Sequence, residues 1–105
     1  MKLVIKYIKD KPESIDAMAA ELCRDLATHG IPILEMTNNG RNITTPHVYI
    51  TFVSDLNALR GRRFDVISGP VPTSIAIGCL KKGGQIGFEG TILDYVVEVE
   101  NEPNS

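Results

Sequence analysis

Hydrophobic positions set the first element. From Lys2 to Lys9, Leu3, Ile5 and Tyr7 alternate with Val4 and Ile8, so apolar residues point both ways. That pattern predicts a strand covered on both faces, as in the centre of a sheet. The next stretch changes period. Ile15, Met18, Ala19, Leu22, Cys23 and Leu26 recur three and four residues apart, while Asp16, Glu21, Arg24 and Asp25 fall on the opposite side. This spacing predicts an amphipathic helix over residues 11–29. Asp10, three residues ahead of Glu13, supplies a capping box, and Pro12 suits the first turn. Gly30 ends the helix where a left-handed residue is wanted, and Pro32 follows.

A short strand at Ile33–Thr37 comes next, and strand, helix, strand of this length predicts a right-handed crossover between two parallel strands. Asn38-Asn39-Gly40 is a turn. Beyond Pro46, Val48, Ile50 and Phe52 alternate with His47, Tyr49 and Thr51 in a third strand, His47–Val53. Ser54 opens a helical turn that closes at Gly61, and a fourth strand runs from Phe64 to Ser68. Thr73–Gly84 has hydroxyls at its start and lysines and glycines at its end, which predicts a short second helix, although Ile75, Ile77 and Gly78 oppose it. Residues 85–100 read as a hairpin turning near Glu89-Gly90. Its last strand alternates Tyr95, Val97 and Val99 with Val96, Glu98 and Glu100. The expected fold is α/β: a single domain over residues 1–100, a mixed sheet of five or six strands, one main helix, and a disordered tail at 101–105.

Composition narrows the function without naming it. The 105 residues are 43% apolar and 23% charged, which suits one globular domain, and a net charge of −2 gives no overall field to recruit nucleic acid. Charge is unevenly spread, however: residues 41–82 carry six basic and two acidic side chains, residues 83–105 none and five. The basic middle and acidic end are complementary within one chain or between two copies. The exposed edge expected at Tyr95–Glu100 favours a homo-oligomer. Cys23 and Cys79 stand without a CxxC partner, no secretory signal is evident, and no apolar run reaches membrane-spanning length; these point to a reducing cytoplasm and away from membranes.

Candidate chemistry lies in the loops after the strands, where open α/β sheets bind ligands. Ser68, Gly69, Thr73 and Ser74 flank a helix start suited to an anion, and Arg62 and Arg63, with Arg41, supply guanidinium groups for bidentate bonds to a phosphate. The leading expectation is a non-enzymatic binding protein for a small anionic, nucleotide-like ligand or a protein partner. Two alternatives are a metal-dependent hydrolase using Asp55 and Asp65, and a nucleic-acid binder using Arg60, Arg62 and Arg63 with Arg41, Lys81 and Lys82. Neither GxxxxGK[ST] nor GxGxxG occurs, so no nucleotide cofactor is called for. His29 and His47 read as structural, Cys23 as core, and Gly84, Gly87 and Gly90 as hairpin residues.

One stretch resembles a known family. Ile43-Thr44-Thr45-Pro46, the strand to Val53, and then Leu59-Arg60-Gly61-Arg62-Arg63-Phe64-Asp65-Val66-Ile67 are similar to the approach to the Walker B strand in phage terminase and helicase-type ATPases. The resemblance covers about a quarter of the chain and implies a shared α/β topology in a small phage-encoded accessory protein. Where the family places its metal-binding Asp and catalytic Glu, this chain has Pro70 and Val71. It therefore implies no ATP hydrolysis.

Overall fold

The computed structural model describes residues 1–9, 12–86 and 91–102. The chain runs β1 (Lys2–Tyr7), α1 (Pro12–Thr28), β2 (Glu35–Thr37), β3 (Asn42–Thr44), β4 (Val48–Val53), a 3-10 turn (Leu56–Leu59), β5 (Phe64–Ser68), α2 (Thr73–Gly78), β6 (Leu80–Ile86) and α3 (Ile92–Asn101). The six strands form one mixed sheet in the order β2-β3-β4-β1-β5-β6. It is the α/β fold expected from the alternating patterns.

Alternation along each strand divides the core into two layers. Val4 of β1 and Ile8 just beyond it, Ile50 and Phe52 of β4 and Val66 of β5 face α1 and α3, meeting Ile15, Ala19, Leu22 and Leu26 from one helix and Tyr95, Val96 and Val99 from the other. Ile5, Tyr7, Phe64 and Ile67 face the other way, onto Leu59, Val71, Ala76 and Cys79. β1 is central, parallel to β4 on one side and β5 on the other. It is buried on both faces because it lies under both layers.

α1 ends as its sequence requires. Gly30 has φ +72°, Gly30 N–H donates to the Ala27 carbonyl at 3.0 Å, and Ile31 N–H donates to Leu26 at 3.0 Å. This is a Schellman closure, which satisfies carbonyls the helix leaves open. The expected helix start at Asp10 and Lys11 lies outside the described residues.

Four expectations need correction. The strand after α1 does run in the direction of β1, but it does not pair with it. β2 pairs antiparallel with β3, and β3 with β4, so the parallel neighbour gained after α1 is β4. The 3-10 turn is capped by Asp55 rather than Ser54: the Asp55 carboxylate accepts from Asn57 N–H at 2.9 Å. The segment expected as one helix over 73–84 divides, with helix to Gly78 and then β6, parallel to β5. Lys81, Lys82, Gly83 and Gly84 form an irregularity in that strand, since Phe64 pairs with Leu80 but Val66 with Gln85. A side chain on Gly84 would crowd the Phe64 carbonyl oxygen at 2.9 Å, so its glycine serves a close strand approach, not a hairpin. Gly87 and the turn expected at Glu89-Gly90 lie outside the described residues.

The fourth correction is the largest. Residues 92–101 are helix, not strand, and Thr91 caps them in a reciprocal box: Asp94 N–H donates to Thr91 Oγ1 at 3.1 Å and Thr91 N–H to Asp94 Oδ2 at 2.9 Å. Its apolar side is consumed inside the chain, where Tyr95, Val96 and Val99 are buried. Self-association through a terminal edge strand therefore has no strand to run through, since these residues are helix. The sheet edges are β2 and β6. The helix also passes the expected domain limit at residue 100, while 103–105 lie outside the described residues. No helix among the described residues is long and apolar enough to cross a membrane.

Candidate functional site

Strand direction decides which candidate residues can meet. β4, β1, β5 and β6 are parallel, so they end with Val53, Tyr7, Ser68 and Ile86 at one side of the sheet and begin with Val48, Lys2, Phe64 and Leu80, just after His47 and Arg63, at the other. Ser68 and Gly69 are therefore at the carboxyl end, and Arg62 and Arg63 at the amino end. The five-residue β5 holds the two sets roughly 16 Å apart. Their side chains are committed locally: Arg62 stacks over the Phe64 ring, 5.1 Å from its centroid, and Arg63 Nη1 donates to the Leu80 carbonyl at 3.4 Å. Arg41 is at the carboxyl end but pairs with Asp16 of α1, Nε to Oδ1 at 2.9 Å. The expected phosphate cluster is not assembled. Thr73 and Ser74 are exposed at the start of α2, but Pro72 occupies the cap position without a side-chain bond, and the helix has only six residues.

The aspartate pair of the hydrolase alternative is separated too. Asp55 follows β4 at the carboxyl end. Asp65 lies in β5 near the amino end, two strands away across β1, and its Oδ2 accepts from Leu3 N–H at 2.7 Å and Lys81 Nζ at 3.3 Å. Two strand spacings, about 9.6 Å, add to the roughly 16 Å between the two ends of the strands, which together are too far for a shared two-metal site with ions about 4 Å apart.

Two clusters form that the sequence does not announce. At the amino end, Glu100 of α3 reaches the β3–β4 connection: its Oε2 accepts from Thr45 Oγ1 at 2.6 Å and His47 N–H at 2.9 Å, and its Oε1 lies 2.6 Å from His47 Nδ1. Burial, the strongest single influence, opposes the Glu100 charge, but the bonds from Thr45 and His47 together outweigh it and hold the carboxyl below its ordinary value. With both oxygens engaged, Glu100 ties the end of α3 to the sheet. A cavity of about 470 Å³ beside it is walled by Met1, Lys2, Pro46 and His47.

The second cluster lies between the helices. A cleft of about 240 Å³ has Lys6 of β1 and Phe52 of β4 as its floor, side by side in register. Met18 and Leu22 of α1 form one wall, Thr91, Ile92 and Leu93 the other, and Glu21 and Asp25 complete the α1 side. Lys6 shares the face of Val4 and Ile8, so alternation directs a cation into a largely apolar layer. It is half-buried, and none of the ion pairs among the described residues uses it. The sequence signal was available: Lys6 is the charged position within the alternating run Val4, Lys6, Ile8. What covers that position depends on where α1 and α3 settle.

Cys23, half-buried on α1, sits with its sulfur 3.5 Å from that of Met36, and burial pushes its thiol pKa up. His29 closes on its own helix, Nδ1 lying 2.9 Å from the Asp25 carbonyl oxygen. Compared with known proteins, the chain matches no protein-family model, no curated protein and no solved structure.

Proposed function

We propose that this chain is a non-enzymatic binding module that takes a small ligand carrying an anionic group at the carboxyl half of its sheet. The observation that carries the reading is Lys6, a cation on the floor of an open, mostly apolar cleft and outside the ion pairs of its neighbours. Small-molecule sites commonly combine apolar walls with a few placed polar groups. The cleft lies toward the carboxyl ends of β1 and β4, on the α1 side of the place where open α/β sheets bind ligands. α1 leaves β1 over one face and α2 leaves β5 over the other, which makes the carboxyl end of this strand pair a topological switch point. The cation expected from Arg62 and Arg63 is replaced in this reading by Lys6.

The test is an amide NMR titration of the full chain with small organic anions, 4-methylpentanoate and phenyl phosphate. Saturable shifts at Lys6, Leu22, Phe52 and Ile92 are expected, and Lys6→Met is expected to weaken binding at least about tenfold. Shifts confined to Ser68, Gly69, Thr73 and Ser74 would move the anion to the loop on the opposite face of the same sheet end. Shifts centred on Arg62 and Arg63, or binding indifferent to Lys6→Met, would overturn the assignment. Association of two copies, the other expectation from sequence, is read directly by sedimentation.

A further inference from the structure

The cleft over Lys6 contains charges of both signs, and their arrangement restricts the ligand further. This inference rests on the binding-module reading above. Glu21 and Asp25 are four residues apart, so they share one face of α1. Both line the cleft with Lys6, yet neither forms an ion pair with it. Met18, Leu22 and Phe52 line the same cleft.

A simple acid drawn to Lys6 would bring its charge beside two carboxylates. A simple amine drawn to those carboxylates would bring its charge beside Lys6. A molecule carrying both groups on one end and an apolar body on the other meets every charge with its opposite. The space is suited to a small molecule: about 240 Å³ corresponds to roughly eight water-sized groups at about 30 Å³ each. The N-terminus of α3 adds no anion site of its own, because Thr91 and Asp94 already occupy it.

We propose that the cleft binds a free apolar α-amino acid. Its carboxylate lies toward Lys6, its ammonium toward Glu21 and Asp25, and its side chain against Met18, Leu22 and Phe52. The ligand bridges the opposite charges that the protein itself leaves unjoined.

Three probes of matched shape test this: L-leucine, 4-methylpentanoate, which lacks the ammonium, and 3-methylbutylamine, which lacks the carboxylate. In amide NMR titrations of the full chain, leucine is expected to bind at least about tenfold more tightly than either. Lys6→Met is expected to weaken leucine binding at least about tenfold, and, because it removes the like charge, to leave the amine bound no more weakly than before. The double variant Glu21→Gln, Asp25→Asn is expected to reduce leucine to the level of the acid. These substitutions fall on exposed or half-buried positions, and an unchanged circular dichroism spectrum verifies folding. If the acid binds as tightly as leucine, the zwitterion proposal fails while the binding-module reading stands. If the amine does, the role of Lys6 fails with it. No saturable shift from any probe up to about 10 mM, a concentration that detects even millimolar affinity, overturns both.

Discussion

Gly69 provides the sharpest test of how the carboxyl end of the sheet is built. Its φ is +102°, and a Cβ placed there would drive into the carbonyl oxygen of Tyr7, the last residue of the central strand. Substitution by alanine has two costs. Holding an L-residue at positive φ costs about 1–2 kcal/mol. Overlap with neighbouring atoms in a packed region costs typically another 1–3 kcal/mol, and here the obstacle is backbone, which has no rotamer to change. Relief requires the β5 exit or the end of β1 to move, disturbing the Tyr7–Val53 and Lys6–Ser68 registers. Gly69→Ala should therefore lose about 2–5 kcal/mol, a large part of the ~5–15 kcal/mol typical of a domain. Gly61 is the control: its φ is +72°, but nothing lies within 4 Å of an added Cβ. Gly61→Ala should lose the strain alone, about 1–2 kcal/mol. Urea denaturation of both variants at matched pH measures the difference as a midpoint shift at constant slope. If the two variants agree within about 0.5 kcal/mol, the close approach of Gly69 to Tyr7 does not constrain the fold and the reasoning is wrong.

Two further outcomes follow from the ends of α3. Glu100→Gln should cost about 1–3 kcal/mol near neutral pH, because the Glu100 carboxylate accepts from Thr45 and His47 in a largely buried setting. Since folding lowers the Glu100 pKa, this contribution is present above the ordinary carboxylate range and disappears as pH falls through the lower folded value. Denaturation midpoints of wild type and variant should accordingly converge in acid; a gap that stays constant to about pH 2, below most carboxylate pKa values, would deny the ionic role. Thr91→Ala removes the acceptor for Asp94 N–H and should cost about 0.5–2 kcal/mol. Hydrogen exchange should show the loss first at Leu93 and Asp94, and unchanged protection there would argue that the cap is unimportant.

Local spacing was enough to read β1, α1, β4 and β5, because each carries one unambiguous period and clear stops. Gly30 is an example: only a left-handed residue allows Ile31 and Gly30 to return their N–H groups to Leu26 and Ala27. The last segment was ambiguous for a physical reason. Tyr95, Val97 and Val99 satisfy a period of two, but Ile92, Tyr95, Val96 and Val99 satisfy the helical period equally, and valine biases the choice toward strand. The Thr91–Asp94 box was the local signal that separates the two. Residues 73–84 misled in the same way, since lysine and glycine at a helix end also suit an irregular edge strand.

The site depended on relations that no short-range spacing contains. Arg63 and Ser68 are close in sequence, yet an extended strand puts them at opposite ends of the sheet, whereas His47 and Glu100, 53 residues apart, come within 2.6 Å. Lys6 was legible as an odd charge in an alternating strand, but its setting was not. Only the packing of α1 and α3 on that face sets Glu21, Asp25 and Phe52 around it. Periodicity determines which side of an element is apolar; the order and direction of six strands determine which sides, and which charges, meet.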